Sequence, residues 1–333
     1  MNPSKKKSIF GYVITTLLSL GLVTFVSIVT IGFSLLHEPG QKDIRYNLTG
    51  HKVSFIALGD QGTGNYRQYQ VAKGMGNLAK KKDLDFVMLL GDNFYRYGVE
   101  STDDRQWRYK FENMYRGSAL EHIPFYAVLG NHDYGGNEQA EIQYSQQRLG
   151  SGRWHMPAKD YVEYYGEVDS QPLLKVIYLD TSPCAREHEN TVRKLSALLT
   201  HSKPSYWTLV ASHVPLRTGS SKYFDQALVD LLVPVLKQFH VDAYLSGHDH
   251  NQQLIVKDQE PAFIVSGTGG KHGDPLSSNF EPDLAFSNHE AGFVYTSVDQ
   301  DSLNIEFYNS NEEQLYSKHL SHDPQNVRVA SIE

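Results

Sequence analysis

Seven side chains able to bind metal ions stand in five short motifs along this sequence. They are Asp60 in Gly59-Asp60-Gln61-Gly62, Asp92 and Tyr95 in Gly91-Asp92-Asn93-Phe94-Tyr95, and Asn131 in Gly130-Asn131-His132-Asp133. His213 closes Val210-Ala211-Ser212-His213, and His248 and His250 lie in Gly247-His248-Asp249-His250. Two carboxylates, a phenol, an amide and three imidazoles are enough to hold two metal ions side by side. Such a pair can activate water for attack on phosphorus. Each motif alone reads more simply as a turn or a helix cap. The series gains meaning from its order and from what precedes each member.

Each motif follows an apolar run that reads as a β-strand, ending at Leu58, Leu90, Leu129, Ala211 and Ser246. The intervening 64–82 reads as a helix, as do 103–115, 187–200 and 224–239. Strands alternating with helices predict parallel α/β pairing. Shorter strands are expected at 162–166, 174–179, 255–257, 262–266, 294–298 and 303–308. The mixture predicts an α/β (α+β) fold, a four-layer αββα sandwich of two mixed β-sheets flanked by helices. Ligands gather at the carboxyl ends of strands in such sheets. Strands far apart in sequence can therefore aim their loops at one point, and Gly59, Gly91, Gly130 and Gly247 would allow the tight turns this needs.

Taken together the motifs resemble those of the calcineurin-like metallophosphoesterases. Tyr95 in the second motif makes the series similar to the purple acid phosphatases, specifically the small tartrate-resistant type. Arg153-Trp154 with Pro157, Leu179-Asp180-Thr181, Tyr244 to Gln252, and Val265-Ser266-Gly267 with Gly269 extend the likeness over about residues 50–320. The resemblance implies a phosphomonoester hydrolase with a metal-activated hydroxide at a dinuclear centre. Asp60, Tyr95 and His250 would hold Fe(III), and Asn131, His213 and His248 a divalent Fe(II), Zn or Mn ion, with Asp92 bridging. The donor chemistry agrees, since carboxylate and phenolate suit a trivalent cation, and imidazole and amide a divalent one. His132 would contact phosphate and assist departure of the leaving group, with Asp133 orienting it. A second active-site histidine in small family members lies nine residues after the Val-x-x-His ligand. That count reaches Lys222 here, and His272 or His289 are the alternatives. A phosphodiesterase or nucleotidase with another metal pair, and a tethered binding protein on the same scaffold, are the competing functions.

Acidic residues (38) exceed basic ones (31), and no basic stripe marks the body of the chain, so no nucleic-acid partner is expected. Small phosphomonoesters, and phosphoproteins as larger substrates, fit better, with the protein a monomer. One cysteine, Cys184, excludes an internal disulfide. The division expected is a basic tail (1–7), an apolar segment (8–36), a linker (37–50), a catalytic domain (51–320) and a tail (321–333). Residues 8–36 form an uncharged run after Lys5-Lys6-Lys7. As a helix rising about 1.5 Å per residue it would cross a hydrocarbon core about 30 Å thick. The flanking lysines predict a cytoplasmic N-terminus and a catalytic domain outside the cytoplasm. A cleaved signal peptide, giving a secreted protein, is the other reading. N-terminal sequencing of the mature protein is expected to return the intact start. A start near His37 or later would replace the anchor with a signal peptide.

Overall fold

The computed structural model describes residues 44, 46, 48–117, 119–182, 187–220, 225–274 and 283–321. The chain divides into Met1–Pro39 and Gly40–Glu333, and every described residue belongs to the second unit. The apolar segment 8–36 and Lys222 lie outside the described residues. Among the described residues no helix is long and apolar enough to cross a membrane.

Two mixed seven-stranded sheets, flanked by helices, make up the fold. In the first, β1 (Val53–Leu58), β2 (Phe86–Leu90), β3 (Phe125–Val128) and β4 (Trp154–His155) run parallel. Antiparallel β12 (Gly292–Val298), β13 (Ser302–Asn309) and β14 (Gln314–Ser321) extend it beyond β1. The second sheet has β6 (Gln171–Tyr178), β7 (Trp207–Ala211), β8 (Ala243–Ser246) and β10 (Ala262–Ser266) parallel at its centre. Antiparallel β5 (Tyr161–Val168) closes one edge, and β9 (Gln252–Ile255) with β11 (Leu284–Asn288) the other.

Every residue of β1, β2, β3, β7, β8 and β10 is buried. Strands covered on both faces need continuous apolar runs, which is why these were readable from sequence. Alternate residues of the second sheet enter two different cores. Val176, Leu209, Ala243 and Leu254 join the large core shared with the first sheet. Their neighbours Ile177, Val210, Tyr244 and Ile255 pack with α3 (His188–His201) and α4 (Gln226–Gln238). Helix α1 (Tyr66–Leu78) lies against β12. It starts where the Asn65 side chain accepts from Gln68 N, and Asp225 caps α4 the same way through Leu228 N.

Several elements escape the sequence pattern, the two-residue β4 among them. Helix α2 (Glu138–Gln146) carries polar residues at most positions and has no apolar stripe. Strands β11 and β14 are edge strands with no residue fully buried, so they lack the apolar runs of the centre. The helix expected at 103–115 is instead a π-helical turn, Trp107–Glu112. Trp107 stacks on Tyr144 with centroids 3.7 Å apart.

Phe86 joins the two sheets. It stacks on Phe55 of β1 at 5.1 Å and on Tyr165 of β5 at 3.9 Å, and meets the edge of Tyr126. Its side chain is inaccessible to solvent. Phe86→Ala should therefore cost about 3–5 kcal/mol of stability. The measurement is the shift in denaturant midpoint at constant m-value.

Candidate metal centre

The five motif loops meet at the seam between the sheets. Asp60, with φ +58°, follows β1, and Asp92, with φ +54°, follows β2. His248 after β8 is also left-handed, at φ +66°. Non-glycine residues in this region carry strain that persists only where surrounding contacts fix them. Those contacts are present. Asp60 N donates to Gly91 O (3.0 Å), Gly247 N to His213 O (3.1 Å), and His248 N to Asp60 Oδ2 (2.7 Å). Gly130 packs directly on the second motif, where an added Cβ would lie 2.1 Å from Asp92 N. No side chain fits there, so the third motif needs glycine to approach the second.

All seven expected donors converge. The Tyr95 hydroxyl oxygen lies 2.7 Å from Asp60 Oδ1 and 2.6 Å from Asp92 Oδ2, its one proton shared between the two carboxylates, with His250 Nε2 3.4 Å away. His250 Nε2 is also 3.2 Å from Asp60 Oδ1. On the other side, Asn131 Oδ1 is 3.1 Å from His213 Nε2 and 3.0 Å from His248 Nδ1. The two imidazole nitrogens are 3.3 Å apart, and Asp92 Oδ1 is 3.5 Å from His213 Nε2. Asp92 thus stands between a Tyr95–Asp60–His250 group and an Asn131–His213–His248 group. Ligand atoms of Asp60, Asp92 and His213 lie within 4.8 Å of one another, all three residues buried. The donors present fit two adjacent cations: hard anionic oxygens on one side, imidazoles and an amide on the other, and a carboxylate between.

The electrostatics point the same way. Burial opposes ionisation of Asp60, yet the His250 hydrogen bond and the fields of His213 and His250 hold its carboxyl below the usual range. Burial likewise opposes charge on His213, but Asp92 and Asp60 draw its pKa upward. Tyr95 is pushed strongly up by burial and then by the two carboxylates. Negative charge concentrated in a dry site attracts cations, and a ligating phenol must give up its proton to one.

Neighbouring groups orient the donors. His213 Nδ1 donates to Leu90 O at 2.8 Å, which leaves Nε2 to face Asn131 and Asp92. His132 Nδ1 donates to Arg96 O at 2.7 Å, and its backbone N–H to Asp92 Oδ1 at 2.9 Å. Its Nε2 lies 4.0 Å from Asp92 Oδ2, with the ring about one-third exposed (36%). Asp133 does not take the place expected for it beside His132. Its carboxylate is buried among backbone donors, accepting from Gly130 N (2.8 Å), Asn93 N (3.1 Å) and Phe94 N (3.0 Å). It ties the third motif to the second. Burial and the nearby Asp92 push its pKa up to about 7.

Some contributors carried no sequence signal. Lys110, buried on the π-helical turn, donates to Tyr95 O and, at 2.6 Å, to Gln106 Oε1. Phe94 is held by the rings of Trp107 and Trp154, which fixes the backbone beside Tyr95. Asp274 accepts from His250 N at 3.0 Å and lies 3.4 Å from His250 Nδ1. It orients that imidazole from behind. A lone Asp after Gly273 gave no hint of this, because the loop that carries it had no readable pattern. Of the alternatives to Lys222, His272 faces Arg67, its Nδ1 3.2 Å from Arg67 Nη2, and His289 packs beside Gly273.

Asp274→Asn keeps the shape and removes the charge behind His250. It should weaken metal affinity about 10- to 100-fold. Competition against a chromophoric chelator measures this; unchanged affinity would remove Asp274 from the centre.

Comparison with known proteins agrees with this geometry. The Calcineurin-like phosphoesterase family profile matches residues 53–252. Purple acid phosphatase 17 of Arabidopsis thaliana is 31% identical, over 92% of this chain and 96% of that protein. Tartrate-resistant acid phosphatase type 5 of Rattus norvegicus is 28% identical over 82% of this chain and 91% of its own. Among solved structures, GAP50, described as the anchor in the inner membrane complex of Plasmodium, superposes with a TM-score of 0.74 at 25% identity. That match covers 82% of this chain and 89% of the other. The chain belongs to the calcineurin-like phosphoesterase family, and within it to the purple acid phosphatases.

Proposed function

We propose that this protein is an acid phosphatase that hydrolyses phosphomonoesters at an Fe(III)–M(II) centre, M being Fe, Zn or Mn. The observation that supports it most is the convergence of all seven donors around Asp92. In this reading Asp60, Tyr95 and His250 hold the ferric ion, and Asn131, His213 and His248 the divalent one. Bound there, the pair supplies a nucleophilic hydroxide at low pH and neutralises phosphoryl charge.

The chain's own residues do the rest. The His132 tautomer is fixed by Arg96 O, so Nε2 is the nitrogen facing the centre. In its protonated state Nε2 binds a phosphoryl oxygen and delivers a proton to the departing alkoxide. Asp133 keeps the second and third motifs in register, which holds His132 and Asn131 at fixed distance from Asp92. Lys110 and the aromatic cage around Phe94 do the same for Tyr95.

The N-terminal apolar run supports a membrane-anchored enzyme whose catalytic domain lies outside the cytoplasm, secreted if the run is cleaved. Phosphomonoesters in that space, with phosphoproteins as larger substrates, are its proposed partners. The likeness to GAP50 keeps a tethered binding role in view as the second reading. An intact donor set favours catalysis, because a purely structural role would not require it.

With p-nitrophenyl phosphate, His132→Ala should lower kcat about 100- to 10,000-fold, and Asp92→Asn should lower it further. Oxidised protein should show a visible charge-transfer band that Tyr95→Phe removes. Full activity in Asp92→Asn would exclude the dinuclear mechanism. A colourless, active protein would replace iron with another metal.

A further inference from the structure

The segment after β10 contributes none of the seven donors, yet it is tied into the centre along its length. Gly267 N donates to Asn251 O at 3.0 Å, and Gly269 N to Gly59 O at 3.1 Å. Gly270 passes so close to the first motif that a Cβ there would lie 2.4 Å from Gln61 O. Its carbonyl accepts from Asn65 Nδ2 at 3.1 Å. Four residues later Asp274 holds His250 through its backbone N–H and Nδ1. Lys271 lies between these two anchors. Its Nζ is 4.4 Å from the centroid of the Tyr95 ring. The His132 imidazole approaches the same ring, with centroids 4.5 Å apart.

Such placement is unlike that of a solvated loop lysine. Backbone bonds to the first motif on one side and to His250 on the other prescribe where the side chain begins. An aromatic face then steers the ammonium to the edge of the centre. Two uses of that charge can be weighed. One is to balance the buried Asp60 and Asp92, a task that two bound cations would take over. The other is to meet substrate. A phosphomonoester offers up to two negative charges and three terminal oxygens, and a diester one charge and two oxygens. A lysine ammonium at the rim therefore gains more from the monoester.

We propose that Lys271 is a substrate-binding residue whose ammonium holds the terminal oxygens of a phosphomonoester and favours monoesters over diesters. This rests on the phosphatase reading and adds a specificity determinant to it. Inorganic phosphate, the product, is held by the same contact.

The test compares wild type, Lys271→Ala and Lys271→Arg, each loaded with metal and checked for metal content. Calorimetry gives the Kd of inorganic phosphate. Kinetics with p-nitrophenyl phosphate and bis(p-nitrophenyl) phosphate give KM and kcat. In Lys271→Ala, phosphate binding should weaken about tenfold, with the monoester KM rising in step and the diester KM little changed. Lys271→Arg should recover most of the loss. Unchanged phosphate affinity in Lys271→Ala would overturn the proposal, as would equal losses for both esters or loss of metal. Wild-type protein that binds no phosphate and cleaves neither ester would instead sink the phosphatase reading, and this role with it.

Discussion

Everything in this protein is arranged around a charge problem. Asp60 and Asp92 are buried within reach of one Tyr95 oxygen. Two carboxylates in a dry site repel each other and lose solvation, which costs stability unless positive charge or protons offset it. The phenolic hydrogen, the imidazoles of His213 and His250, and the backbone N–H groups of His132 and His248 supply partial relief. Cations supply the remainder. A site so expensive to assemble without metal has a strong thermodynamic pull towards it.

The rest of the molecule sustains that arrangement. Left-handed backbone at Asp60, Asp92 and His248 would relax if the loops were free. It is retained because each loop leaves a fully buried strand and is bonded to its neighbours. Asp133 and Asp274 act outside the donor set. One joins two motifs through the backbone, and the other backs an imidazole. The aromatic cluster of Phe94, Trp107 and Trp154 contributes packing in place of charge, holding the peptide that precedes Tyr95.

The legible and illegible parts of the sequence divide on physical lines. Asp60, Asp92, Tyr95, Asn131, His213, His248 and His250 could be found because each follows a doubly covered strand, whose apolar run is unmistakable. Their neighbours could not. Lys110, Lys271 and Asp274 owe their roles to loops and a π-helical turn, where no periodicity links sequence to position. Asp133 was found by its motif but misread in its partner, since proximity in sequence to His132 does not set the direction of a buried carboxylate. The edge strands β11 and β14 were missed because they face solvent and lack the apolar pattern, and helix α2 because its buried face mixes Glu141 and Ser145 with Ala140, Ile142 and Tyr144.

Donors come from both sheets, and the link is direct: His213 of the second sheet bonds Leu90 O of the first, and Ser266 Oγ bonds Ala57 O. The centre therefore gauges the spacing between the sheets. Metal–ligand distances tolerate only about 0.2 Å of departure. A change in core thickness far from the loops, at Phe86 or Tyr165 for example, reaches the centre as a change in bite between its two halves. Substitutions in that interior should therefore spare the centre only where they keep the thickness of the layer. Volume alone is an insufficient criterion, and the aromatic layer serves as a calibrated spacer for the chemistry at its end.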